Sequence, residues 1–177
     1  MDTTGSVFLQ SAIKRVNYYK QLSERTFDQL EEKDFYFQPN GISNSLAVII
    51  QHMSGNMLSR WTHFLTEDGE KSWRSRDTEF EDQHYSKQQL MVLWEKGWLC
   101  FTGTLESLQD NDLLKTVYIR KEPLLVIDAI NRQLAHYPHH AGQIIYIGKI
   151  IKGTEWKSLS IEKNKSEDYN AMMAQKA

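Results

Sequence analysis

Apolar residues recur at helical spacing in four stretches of the chain and predict four long helices. The first stretch covers about residues 6–30, and its apolar positions are Phe8, Ile13, Val16, Tyr19, Leu22, Phe27 and Leu30. A second helix is expected after the turn-forming segment QPNGISN (38–44), with Asn44 as its N-cap and Gly69 as its stop signal. Amphipathic helices can bury their apolar faces only against one another. The pattern therefore predicts an all-α fold, a four-helix bundle.

A long polar segment separates the second helix from the third. Residues 70–85 (EKSWRSRDTEFEDQHY) show no clear periodicity. A connection of this length often acts as a binding loop or lid, although a solvated loop is the more ordinary interpretation of its charge cluster. Ser86 and Gln89 then form a capping-box sequence that opens the third helix.

The fourth helix is expected to follow a short extended segment. Residues 116–120 (TVYIR) alternate as a short strand does, and Glu122-Pro123 is expected to begin the helix, because proline is tolerated at the first helical position. Beyond this helix the sequence becomes polar. We expect the bundle to occupy residues 1–155, and residues 156–177 to form a polar tail or a short helix.

Composition and charge exclude several classes of function. The chain has 177 residues, of which 40% are apolar and 25% charged, and its apolar runs are too short to cross a bilayer. A net charge of −2 without a basic stripe argues against nucleic-acid binding. The N-terminal sequence lacks the pattern of a signal peptide, and Cys100 is the single cysteine. We therefore expect a cytoplasmic protein without a membrane partner.

The most informative chemistry lies in LAHYPHHAGQII (134–145), which contains three of the six histidines. His136 and His140 are four residues apart, so on a continuous helix they project from one face, one turn apart, and can reach one cation. His139 lies on the flank of that face and is a candidate substitute ligand, because residues three apart on a helix can also chelate one cation. Gln143 returns to the same side after two turns, where it can hydrogen-bond a ligand or contact a substrate.

A third ligand has to come from another helix, and His52 is the best candidate. It lies in the middle of the second helix beside an aliphatic face, where a buried, unpaired imidazole is costly. Asn56 shares its face one turn later. Three neutral imidazoles leave coordination positions open for water or substrate, as in catalytic metal sites. The plainer interpretation is a solvated histidine pair and a hydrogen-bonded His52; we assign His63 and His84 to the surface.

Pro138 lies between the two histidines and leaves two outcomes open. It removes the hydrogen bond to the Leu134 carbonyl, so the helix either bends with both imidazoles still convergent or breaks. A break would destroy the spacing of His136 and His140. The bend is favoured, because the apolar periodicity is shared by both flanks.

These residues resemble a known family. HYPHHAGQI (136–144) resembles the His-x-x-x-His-x-Gly-Gln signature of the DinB-like superfamily, also called YfiT-like metal-dependent hydrolases, and His52 in IIQHMSGNMLSRW matches its first ligand. The resemblance covers approximately residues 6–152 and is closest to an uncharacterised bacterial branch. It implies a four-helix bundle that holds a divalent metal, nickel or zinc in many relatives, through His52, His136 and His140.

The resemblance also suggests a function, because characterised relatives include bacillithiol transferases and mycothiol-dependent isomerases. The first hypothesis is a metal-dependent transferase that binds a low-molecular-weight thiol, such as bacillithiol, for attack on a small electrophile. Arg60, Arg74 or Arg76 would steer an anionic carboxylate, and residues 70–85 would close over the pocket. The catalytic group is left open, with Asn56, Gln143 and Arg60 as candidates.

Two alternatives remain. A metal-dependent hydrolase ranks lower, because no carboxylate lies at a diagnostic spacing from the histidines to act as a base. A non-enzymatic, stress-related protein that binds a small ligand in the bundle is the other. In each case we expect a small-molecule partner, and a bundle face rich in Trp and Met favours a homodimer.

Overall fold

The computed structural model describes residues 3–175 and confirms the all-α, bundle-like fold. Residues 1–2 and 176–177, which belong to the predicted bundle (1–155) and the predicted tail (156–177), lie outside the described residues. Within residues 3–175 the helices are α1 (Thr4–Phe27), α2 (Leu46–Trp61), α3 (Lys87–Ser107), α4 (Val126–Lys152) and α5 (Ser166–Ala174). One antiparallel hairpin joins α3 to α4, with strands β1 (Thr116–Ile119) and β2 (Glu122–Leu125).

The boundaries of α2 differ from the prediction at both ends. Its N-cap is Ser45 and not Asn44: the Ser45 side chain accepts a hydrogen bond from the backbone N–H of Val48 at 3.3 Å. The helix ends at Trp61 and does not reach Gly69. The Gly69 carbonyl instead accepts a hydrogen bond from the Ser59 hydroxyl at 2.6 Å, so the chain has already folded back onto the helix.

The predicted start of α4 at Glu122-Pro123 is wrong, because these residues form β2 and the helix begins at Val126. The two turn residues, Arg120 and Lys121, have φ values of 56° and 65°, as in the tight two-residue turns of hairpins. The Asp68 carboxylate accepts their backbone N–H groups at 2.9 and 2.7 Å and fixes this turn. Proline is tolerated here because a two-stranded sheet consists of edge strands. The short extended segment before α4 and the capping box at Ser86 are both confirmed.

Helix α4 runs unbroken through Pro138, so the alternative of a broken helix is excluded. The residues on either side hold it in place: Tyr137 and Ala141 are completely buried. A helix that loses one internal hydrogen bond can persist where tertiary packing of its apolar face compensates.

The helices pack as two pairs, with α2 against α3 and α1 against α4. Large aromatic side chains fill the space between them, and the most deeply buried are Trp61, Trp94, Trp98, Phe101, Phe35 and Tyr137. Tyr137 of α4 packs edge-on against Phe101 of α3, with ring centroids 5.0 Å apart. The contact between α2 and α4, where the pairs meet, is smaller and carries the polar residues described below.

After α4 the chain crosses the end of α1. Arg25 donates a hydrogen bond to the Leu159 carbonyl at 2.7 Å, and the Gln29 side chain exchanges two hydrogen bonds with the Lys157 backbone. Helix α5 follows and is exposed along its whole length. Among the described residues, none of the helices is long and apolar enough to cross a membrane.

Truncation of a core residue tests this packing. Ile130 of α4 is completely buried, whereas Ile150 of the same helix is 44% exposed. We expect Ile130→Ala to lower the free energy of unfolding by about 2–5 kcal/mol, because it leaves a cavity. Ile150→Ala should change it by less than about 1 kcal/mol. Urea denaturation followed by circular dichroism measures both; equal effects would contradict the described packing of α4.

Candidate metal centre

The structure brings His52, His136 and His140 together where α2 meets α4. Each offers one ring nitrogen, and these three atoms lie within 4.8 Å of one another. The Nε2 atoms of His136 and His140 are 3.0 Å apart. His52 is buried, with 6% of its surface exposed, and its ring lies 5.1 Å from that of His140. The helix spacing of the pair and the mid-helix position of His52 are the features that sequence reasoning used.

The outer nitrogen of each ring faces a side-chain oxygen, and these partners fix the tautomers. The Nδ1 atom of His52 lies 3.0 Å from Glu79 Oε2, that of His136 3.3 Å from Gln133 Oε1, and that of His140 2.8 Å from Gln143 Oε1. A neutral imidazole carries one N–H, and an oxygen acceptor places it on Nδ1. The Nε2 lone pair of each ring is then directed away from its partner, toward the cluster.

This donor set fits a divalent metal. Two lone pairs 3.0 Å apart repel each other unless a cation lies between them. Nitrogen atoms bound to one zinc ion at the usual 2.0–2.1 Å are about 3.4 Å apart at a tetrahedral angle. A hydrogen-bond acceptor behind each ring is also the usual support of metal-binding histidines.

Burial keeps two of the rings uncharged. Burial, together with the neighbouring imidazoles of His140 and His52, lowers the pKa of His136 to about 3. Burial also lowers the pKa of His140, to about 4, although its hydrogen bond with Gln143 acts in the opposite direction. At neutral pH both rings therefore offer lone pairs without first losing a proton.

Glu79 is the residue that sequence reasoning missed. It lies in the polar segment 70–85, 27 residues from His52, and no spacing rule links the two. Arg74 donates to both of its oxygens, from Nε at 2.7 Å and from Nη2 at 2.8 Å. Burial raises the pKa of Glu79, but the hydrogen bonds from Arg74 and His52 outweigh it and hold the pKa below its ordinary value. The carboxylate is therefore ionised.

Residues 74–80, which we call the strap, pack against α2 through some of their side chains, while residues 75–78 are exposed. Glu79 is 9% exposed, and the Arg74 side chain is 2% exposed. The Phe80 ring lies 4.8 Å from the His52 ring, and the guanidinium of Arg76 lies 4.9 Å above Phe80. The interpretation of segment 70–85 as a simple solvated loop is thus wrong at Arg74, Glu79 and Phe80, whereas residues 75–78 are exposed.

Asn56, a catalytic candidate, belongs to a buried network beside the histidines. The Tyr137 hydroxyl donates to Asn56 Oδ1 at 3.1 Å and accepts from Trp61 Nε1 at 3.2 Å. Burial raises the pKa of Tyr137, so its hydroxyl stays protonated. The network joins α2 to α4 next to His136, and Asn56 Oδ1 is already occupied by this bond.

The structure places Arg60, a second candidate, in a different cluster. Its guanidinium donates to the Gly69 carbonyl and to Glu70 Oε2, and the residue is 5% exposed. Arg120 of the hairpin donates to the same Glu70 oxygen at 2.9 Å. These contacts tie the loop after α2 to the hairpin.

Gln143, the third candidate, connects the histidines to a cavity. Its Oε1 faces His140, its Nε2 donates to His139 Nε2 at 3.2 Å, and the residue lines a cavity of about 530 Å³. The other lining residues are Pro39, Asn40, Ile42, Ser43, Asn44, Ile49, Tyr146, Ile147 and Ile150. This wall carries no charged side chain and combines apolar with uncharged polar residues. His63 and His84 are exposed, as predicted, and His139 on the flank is exposed as well.

A comparison with protein families gave one match. The model of a family described as "Protein of unknown function (DUF1572)" matches residues 3–165, a range that includes the three histidines and the strap. Neither the curated proteins nor the solved structures contained a match to the chain.

The lowered histidine pKa values predict how metal-free stability depends on pH. Between about pH 6.5 and pH 4 the unfolded chain binds protons on His136 and His140 that the folded chain does not. The free energy of unfolding should therefore fall as the pH falls, by about 1 kcal/mol per pH unit for each group. Urea denaturation in EDTA between pH 7 and pH 5 measures this. A double variant, His136→Gln with His140→Gln, should have a flatter profile; an identical profile contradicts the assignment.

Proposed function

The chain belongs to the DUF1572 family of unknown function, and we propose that His52, His136 and His140 form a divalent-metal site of the DinB-like type. The observation that carries this proposal is the convergence of three imidazoles, whose ligand atoms lie within 4.8 Å of one another. The oxygens of Glu79, Gln133 and Gln143 add to it, because each lies against the Nδ1 atom of one ring and leaves Nε2 available as a ligand. Zinc or nickel suits an all-imidazole ligand set.

We further propose that the site activates a low-molecular-weight thiol for transfer to a small electrophile. A bound divalent cation supplies the charge that lowers the pKa of a thiol and holds its thiolate. Three protein ligands leave a position for that sulfur. The neutral wall beside Gln143 suits the uncharged part of a substrate.

The contacts of Glu79 favour transfer over hydrolysis. A hydrolase needs a base for its attacking water. Glu79 is the carboxylate placed against the histidines, and Arg74 and His52 occupy both of its oxygens on the outer side of the His52 ring. It therefore does not meet the requirement of a general base within reach of the substrate.

Among the three arginines considered for an anionic substrate, Arg76 is the best placed. Arg60 and Arg74 are engaged by Glu70 and Glu79. Arg76 is exposed and lies over Phe80, which in turn contacts His52. We assign the recognition of a substrate carboxylate to Arg76. The cytoplasmic location and the homodimer stay predictions.

Metal titration tests the site directly. We expect the chain to bind one Zn²⁺ or Ni²⁺, and His52→Ala, His136→Ala and His140→Ala each to weaken binding at least about 100-fold, since loss of an outer hydrogen-bond partner alone costs 10–100-fold. His63→Ala is the matched control and should bind as the parent does, because this exposed ring lies outside the cluster. Isothermal titration calorimetry and elemental analysis give affinity and stoichiometry. A parent chain without metal contradicts the proposal.

The reaction is tested with bacillithiol and monochlorobimane. We expect fluorescence from the transferred thiol with the metal-loaded chain, and loss of that rate in His136→Ala, because the sulfur would have no activating cation. The same preparations are assayed with an ester substrate. Ester turnover without thiol transfer would favour the hydrolase, and transfer that is indifferent to His136→Ala would remove the metal from the mechanism.

A further inference from the structure

The Glu79 carboxylate lies against the backbone of Gly55, in a space that we call the slot. Gly55 lies on α2 three residues after His52, almost one turn further along the same helix. A Cβ atom built on Gly55 would overlap Glu79 Oε1 and lie 2.8 Å from its Cδ atom. Real Cβ atoms do not approach other atoms so closely. A side chain at position 55 would therefore require the Glu79 carboxylate to move from the place where it contacts His52.

The strap holds this carboxylate in a fixed orientation. Residues Asp77–Phe80 form a turn of 3₁₀-helix, closed by a hydrogen bond from the Glu79 N–H to the Arg76 carbonyl at 3.1 Å. Arg74, nine-tenths or more buried, donates from two nitrogens in the forked geometry that fixes a carboxylate plane. Phe80 adds a ring face against His52. The strap thus supplies the carboxylate that contacts His52, the arginine that orients this carboxylate, and the aromatic ring that packs against the imidazole.

We propose that Glu79 is a positioning residue of the metal centre, and that docking of the strap and metal binding by His52 depend on each other. This inference rests on the proposed metal site. Glu79 holds the proton of His52 on Nδ1 and leaves Nε2 free to act as a ligand. An imidazole bound to a cation is a stronger N–H donor, so occupancy of the site strengthens the bond to the strap. Linkage makes the coupling reciprocal: a docked strap raises metal affinity.

A purely structural role for Glu79 makes a different prediction. If Glu79 only neutralised Arg74, its removal would lower the free energy of unfolding but would leave metal affinity unchanged. Metal would then have no effect on the hydrogen exchange of the strap. The two roles are separated by measuring affinity and exchange together.

The test uses the full chain with Zn²⁺ as the probe. Glu79→Gln keeps the size of the side chain but removes its charge, and Gly55→Ala keeps every ligand and Glu79 itself while blocking the slot. We expect both to weaken Zn²⁺ binding by about 10–100-fold in calorimetry. Asp77→Asn removes an exposed carboxylate from the same turn and should bind as the parent does.

Hydrogen exchange followed by mass spectrometry supplies the second measurement. Zn²⁺ should slow amide exchange in residues 74–80 of the parent at least tenfold and should not do so in Glu79→Gln. Parental affinity in both Glu79→Gln and Gly55→Ala, or strap exchange in the parent that ignores Zn²⁺, overturns the inference. If Glu79→Gln does not fold, Gly55→Ala and the parental exchange still decide it. A parent that binds Zn²⁺ through its histidines but shows no coupling overturns this inference alone, whereas a parent that binds no Zn²⁺ overturns the proposed function.

Discussion

The requirement that a buried imidazole find a partner for both ring nitrogens organises the meeting of α2 and α4. An unpaired polar group in the interior costs free energy, and three of them at one interface multiply that cost. Side-chain oxygens satisfy the Nδ1 atoms of all three rings. The inward nitrogens of His136 and His140 face each other at 3.0 Å, and two acceptors cannot satisfy one another. A shared cation would complete the arrangement, which is why we base the proposed function on it.

Polar contacts beside the histidines set the distance between α2 and α4. Tyr137 follows His136 directly and bonds to Asn56 and Trp61 of α2. This fixes the rotation and register of α4 against α2 close to the point where the imidazoles must converge. It also bears on Pro138, since a proline costs about 3 kcal/mol inside a helix. The complete burial of Tyr137 and Ala141 on either side offsets that cost and keeps His136 and His140 on one continuous face.

Periodicity was sufficient to predict the four long helices and the placement of His136 and His140 on one face, because both follow from the geometry of an amphipathic helix. His52 was selected by its position in the middle of α2 and by the family resemblance. Periodicity failed where contacts with distant parts of the chain decide the structure of a segment. A Glu-Pro pair suits the first turn of a helix and an edge strand equally well, and the pairing of residues 122–125 with β1 selected the strand. The contact between Glu79 and His52 could not be predicted for the same reason. It depends on Arg74 and on the slot at Gly55, and neither leaves a local pattern in the sequence.

The hydrogen-bond partners of the three histidines belong to different parts of the fold. Gln133 and Gln143 belong to α4 itself, three residues from the rings that they hold, so their backbone positions are fixed by the helix. Glu79 belongs to a connecting segment, where local opening requires less free energy than the opening of a core helix. The partners of His136 and His140 are therefore positioned by the bundle, whereas the orientation of His52 depends on the strap. For the proposed metal site, movement of the strap alone would then change metal affinity, with the bundle and the pair His136 and His140 intact.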